Sequence, residues 1–86
     1  MTVTHNAALG RYEMKTEHGV AVAVYHQHGD RRVFTHTEVP PQDEGRGHAS
    51  RLVEAALDDT RRAGFKIQPA CSFVVAYVRR HPEYRD

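Results

Sequence analysis

An 86-residue chain holds one domain (1–86) and, by surface scaling, buries roughly 60–65% of what its unfolded form exposes, enough for one modest core. Apolar residues make up 40% and charged residues 27%, which argues against disorder, and a formal net charge of +1 argues against non-specific nucleic-acid binding. No apolar run approaches the ~20 residues of a membrane span and the N-terminus has no apolar signal core; with a lone cysteine, Cys71, that cannot close an internal disulfide, the chain reads as cytoplasmic.

Residues 1–8 show no period and read as a loose lead-in. Near-alternate apolar positions from Leu9 to Thr16 predict a first strand, closed by a turn at Glu17-His18-Gly19. Val20 to His28 is a second strand with its valines on one face, and His28-Gly29-Asp30 is the next turn. Arg31 to Val39 alternates again, with Val33, Thr35, Thr37 and Val39 on one face and Phe34, His36 and Glu38 on the other. Pro40-Pro41 ends it, because proline has no N–H for a ladder. From about Ser50 a helix follows, its apolar stripe Leu52, Val53, Ala56, Leu57 and Thr60 stopping at Gly64. Phe65 to Pro69 is a short fourth strand, parallel to the third through a strand–helix–strand crossover. Ser72 is placed to cap a last helix through Phe73, Val74, Tyr77, Val78 and His81, ended by Pro82. The order β-β-β-α-β-α makes one mixed α/β (α+β) sheet with helices packed on it.

Between the third strand and the first helix lies Gln42-Asp43-Glu44-Gly45-Arg46-Gly47-His48-Ala49. Two glycines two residues apart at a strand-to-helix junction let backbone N–H groups approach an anion, and a helix N-terminus adds about half a positive charge. Arg46 and His48 are placed to add more. A Walker loop needs Gly-x-x-x-x-Gly-Lys-Ser/Thr and a dinucleotide fold a third glycine with a later acidic residue, and neither is present. Gln42-x-x-Gly45-x-Gly47 resembles the acyl-CoA-binding motif of the GNAT superfamily of N-acetyltransferases, Gln/Arg-x-x-Gly-x-Gly/Ala. The resemblance extends through His36-Thr37-Glu38-Val39-Pro40, Leu52-Val53, Pro69-x-Cys71-Ser72-Phe73-Val74, Tyr77 and Arg80-His81-Pro82-Glu83-Tyr84, blocks that look like a small stand-alone branch of that superfamily.

The resemblance implies a truncated acetyltransferase fold without the N-terminal elements that in larger members form much of the acceptor site. It further implies that the amides of Glu44, Gly45, Arg46, Gly47, His48 and Ala49 hold the pyrophosphate of acetyl-CoA, and that Thr37, Glu38 and Val39 pair their backbone with the pantetheine arm. The acceptor is then an amine, either a small molecule or an exposed protein lysine or N-terminus, and no metal is called for.

Acetyl transfer to an amine needs a neutral nucleophile, a proton acceptor and donors for the developing oxyanion. His36 lies three residues before the strand end, and an unperturbed imidazole accepts protons at neutral pH; its bland alternative is a histidine filling a sheet face. Cys71 follows Pro69-Ala70 at a helix start, a setting in which thiols act as nucleophiles, or else it is a packing cysteine. If the two meet across adjacent strands they form a nucleophile–base pair with an acetyl-cysteine intermediate. Direct attack by a bound amine, with His36 or Glu38 as base, is equally open. In many relatives a tyrosine serves as acid toward the CoA thiolate, for which Tyr77 and Tyr84 are candidates. His26 and His28 share a strand face but lack a third metal ligand in the sequence. Rival to the enzyme stand a CoA-binding or interaction module without efficient transfer, and a scaffold whose glycine loop is only a turn.

Overall fold

A computed structural model describes residues 2–85. Five strands lie in the sheet in chain order: β1 (Val3–Asn6), β2 (Arg11–Thr16), β3 (Gly19–His28), β4 (Arg31–Glu38) and β5 (Lys66–Pro69). The first four pair antiparallel and β5 lies parallel to β4, reached through helix α1 (His48–Arg62). A second helix, α2 (Ser72–Arg80), follows β5.

Residues 3–6, expected as loose lead-in, instead form an edge strand, in register with β2 from Val3↔Met14 to Asn6↔Arg11. Four residues of mixed polarity are too short to show a period, yet Val3 packs against the core and His5 stacks on Tyr12. Residue 1 lies outside the described residues. The first predicted strand begins at Arg11 rather than Leu9, because Ala7–Leu9 is a 3-10 turn capped by Asn6 and closed by left-handed Gly10.

One face of the sheet is covered. Tyr12, Met14, Ala21, Ala23, Tyr25, Phe34 and Ile67 pack beneath Leu52, Val53, Ala56 and Leu57 of α1 and Val74, Tyr77 and Val78 of α2 as one core. The stripe read from the sequence is the buried face of α1. In β3 the alanines, not the valines, face the core: small side chains let the helix approach, while Val20 stays exposed and Val22 and Val24 are half-buried on the uncovered face. At the end of α1, Gly64 adopts φ +85° and the Phe65 N–H donates to the Thr60 carbonyl at 3.1 Å, the six-residue closure that satisfies a helix's last carbonyls.

The alternation expected for β4 fails at one residue. Tyr25 pairs with Phe34 but Val24 pairs with His36, so Thr35 is an extra residue, a bulge. Phe34 and Thr37 therefore share the helix-covered face with Tyr25 and Ala23, whereas Val33, His36 and Glu38 share the open face with Val24 and Val22. Beyond Phe34 the two parallel strands part, since β5 pairs only with Arg31 to Phe34. The amides of Ala70 and Cys71 both donate to the Phe34 carbonyl, each at 2.9 Å, and mark the point of separation. From Thr35 to Glu38, β4 has a strand on one side only.

Candidate functional site

The glycine loop lies where β4 ends. After a 3-10 turn at Pro41–Asp43, Gly45 and Gly47 take φ of +81° and +78°, a region that glycine enters without strain. A Cβ at either would meet nothing within 4 Å, so the backbone angle, not crowding, requires glycine. Gly47 is the N-cap of α1, which starts two residues earlier than the periodicity suggests and has no side-chain cap. The Arg51 N–H returns to the Gly47 carbonyl, leaving the amides of His48, Ala49 and Ser50, and those of Gly45, Arg46 and Gly47, without an acceptor among the described residues. The Glu44 amide also donates to the Pro41 carbonyl, at 3.4 Å.

Glu44, Gly45, Gly47, His48, Ala49 and Ser50 border a cavity of about 380 Å³ that also touches Thr37, Val39, Asp43 and Phe73. His48 is buried at its wall, and its Nδ1 has no hydrogen-bond partner among the described residues. The Arg46 guanidinium meets Glu17 Oε1 at 3.4 Å on the surface.

The open edge of β4 adjoins the same cavity through Thr37 and Val39. Thr37 Oγ1 lies 3.4 Å from Cys71 Sγ. Cys71, not Ser72, caps α2, its sulfur accepting the Val74 N–H at 3.5 Å. His36 is on the other face of the sheet, 59% exposed, with Glu38 Oε2 3.5 Å from its Nε2. The bulge thus separates the expected Cys71–His36 pair: the thiol's neighbour is a threonine hydroxyl and the imidazole's is a carboxylate.

With this geometry in view, a family model for the GCN5-related N-acetyltransferases matches residues 11–86. The chain belongs to that family. Its relatives include Protein NATD1 of Gallus gallus, Mus musculus and Homo sapiens, each 39% identical over 66 residues and 76% of this chain. The match spans 60% of the chicken and mouse proteins and 58% of the human one. The fold is shared with a GCN5-like protein of Staphylococcus aureus solved by NMR, with a TM-score of 0.73 at 20% identity over 96% of this chain and 82% of that one.

In this acetyltransferase-family domain the tyrosine candidates lie off the cavity. Tyr77 and Tyr84 are buried in the core, and Tyr84 donates to Asp58 Oδ1 at 2.7 Å. Burial raises the pKa of both hydroxyls, and for Tyr84 the Asp58 bond raises it further, which makes them poor acids. His81 ends α2 and stacks on Tyr77. His26 and His28 are exposed on β3. The potential ligand set that does assemble among the described residues is Glu17, His18 and Asp43. None of its three members was singled out as a site residue in the sequence. Asp43 is wholly buried, its Oδ2 accepting the His18 N–H at 2.9 Å and its Oδ1 2.8 Å from His18 Nδ1. The His18 side chain, with its backbone N–H, holds the Asp43 carboxyl well below the usual carboxylate range. A carboxylate inside a loop expected to hold an anion was the available signal; its partner, 25 residues earlier, gave none. No helix among the described residues is long and apolar enough to cross a membrane.

Proposed function

We propose that the domain binds acetyl-CoA and transfers its acetyl group to an amine. The observation that carries this reading is the run of acceptor-free amides from Gly45 to Ser50 at the N-terminus of α1, beside a β4 edge that has lost its strand partner. The buried, unpartnered Nδ1 of His48 fits the same reading, since such an atom is normally satisfied by protein, water or ligand. The loop amides would hold the pyrophosphate, and the free edge at Thr37 to Val39 would pair with the pantetheine amides.

Acetyl-CoA supplies a thioester carbonyl whose C–S bond breaks as the C–N bond forms. The amine proton must leave to a base, and the His36 imidazole, exposed on the open face with Glu38 beside its Nε2, is the group this chain offers. Cys71 lies toward the helix-covered face, its sulfur engaged by Thr37 and Val74, so direct attack is favoured over an acetyl-cysteine route. The rival reading, a CoA-binding module without efficient transfer, draws on one observation: among the described residues no helix covers the face that carries His36, so few walls orient an acceptor.

Titration of CoA into isotope-labelled protein should shift amides 44–50, and the absence of any binding would sink both readings. With acetyl-CoA and an amine panel, product that falls about 10²–10⁴-fold in His36→Ala supports direct transfer. An acetyl mass gain on the protein that vanishes in Cys71→Ala would instead establish the covalent route, and binding without either product would favour the module.

A further inference from the structure

The residues of the glycine loop make few internal contacts, yet the loop must hold its shape for its amides to act together. Its firmest ties lead to the turn between β2 and β3. The buried Asp43 carboxylate takes both its hydrogen bonds from one residue of that turn, the His18 backbone and ring nitrogens. Gly19, next in the turn, is packed so closely on Pro40 that a Cβ would sit 3.0 Å from the proline Cγ. Arg46 reaches Glu17 from the loop itself. None of Glu17, His18 and Gly19 lines the cavity, whereas Asp43 does. A carboxylate at the wall of an anion site opposes the ligand unless its oxygens are engaged elsewhere, and here both are.

We propose that His18 and Asp43 are a positioning pair: they fix the anion-binding loop to the β2–β3 turn and turn the Asp43 charge away from the ligand. Affinity for acetyl-CoA is thereby set in part by a residue that borders no part of its cavity. This deepens the acetyl-CoA reading and rests on it for the ligand. The pairing itself is a property of the free protein and is tested without ligand.

The experiment compares wild type with His18→Ala, His18→Asn, Asp43→Ala and Asp43→Asn. In free protein, backbone order parameters at Gly45, Arg46 and Gly47 should fall from a rigid value of about 0.85 toward about 0.6 in His18→Ala and Asp43→Ala. They should hold in His18→Asn, whose amide nitrogen replaces Nδ1, and in Asp43→Asn, which keeps an acceptor for the His18 N–H. The CoA Kd should rise about tenfold or more in Asp43→Ala, which loses both hydrogen bonds to His18. The double alanine variant should be no weaker than Asp43→Ala alone. Loop order unaltered in His18→Ala, or single effects on Kd that simply add, would overturn the pair. If Asp43→Ala does not fold, the exposed-partner variants His18→Ala and His18→Asn decide by the same two readouts. If wild type binds no CoA, the acetyl-CoA reading fails, while the order parameters still judge the pair.

Discussion

The two ends of α1 treat polar groups in opposite ways. Near its C-terminal end a dense set of polar side chains satisfies itself: Arg32 donates to Tyr12 Oη at 2.5 Å and to Gln27 Oε1 at 2.9 Å, Tyr12 donates to Asp59 at 2.6 Å, and His5 Nε2 meets Tyr25 Oη at 2.6 Å. The Arg32 guanidinium also lies over the Tyr25 and Phe65 rings, at 4.9 and 4.8 Å. At the N-terminal end, about 22 Å away along fifteen residues of helix, six successive amides and one buried imidazole nitrogen lack partners among the described residues. A fully connected network stiffens a small core. Polar groups left open in one place are where the proposed ligand would bind, and buried Arg32 is spent far from that place.

This contrast can be broken from either end. The largest effect is expected at the open end. Gly47→Val forces a β-branched residue to φ +78° and displaces the first amides of α1; losing two charge-assisted bonds of about 1.5–3 kcal/mol each weakens CoA binding by about 100-fold or more, measured by calorimetric titration. At the closed end, Arg32→Met should lower unfolding stability by about 2–3 kcal/mol in urea, because Tyr12 and Gln27 lose their donor, while the CoA Kd of the folded protein stays put. If Arg32→Met weakens CoA binding as strongly as Gly47→Val does, the separation of roles is wrong.

Acid should act at both ends by the same sign but in different windows. Asp43 has a depressed folded-state pKa, so its stabilisation is complete above the unfolded value near 3.9 and is lost as pH falls further, through the folded value. Urea midpoints taken from pH 5 to 3 should therefore drop more steeply in wild type than in Asp43→Asn. The smallest effect belongs to His5, whose pKa is lowered first by burial and then by Arg32. The unfolded chain takes up a proton near pH 6.5 while the folded imidazole resists it, so stability slips as pH falls below about 6.5. His5→Gln should flatten that slope slightly, because the ring is partly solvated.

Much of this was legible in the sequence. The prolines, the Gly45-x-Gly47 spacing and the apolar stripe from Leu52 to Thr60 located the strand end, the loop and the core face of α1, because each acts through local geometry. β1 was not legible, since four residues gain their order only from β2. The faces of β4 were misassigned for a different reason: a bulge depends on how a partner strand lies, and nothing in Phe34-Thr35-His36 announces it. Cys71 displaced Ser72 as the cap because the Val74 amide found the sulfur first in space, although serine is the commoner cap by type. His18 and Asp43 show the general limit, since a contact spanning 25 residues leaves no mark in either neighbourhood.

Thr35 has a consequence out of proportion to its size. A strand assigns its side chains by parity, and a single supernumerary residue inverts the assignment for everything downstream. Deleting it would close the ladder with His36 still opposite Val24 and Thr37 still opposite Ala23, whereas taking it into regular pairing would bring His36 to the side of the thiol and send Thr37 to the open side. The division of labour between the two faces of this sheet is thus a matter of counting, decided by whether Thr35 is left out of the ladder or paired within it.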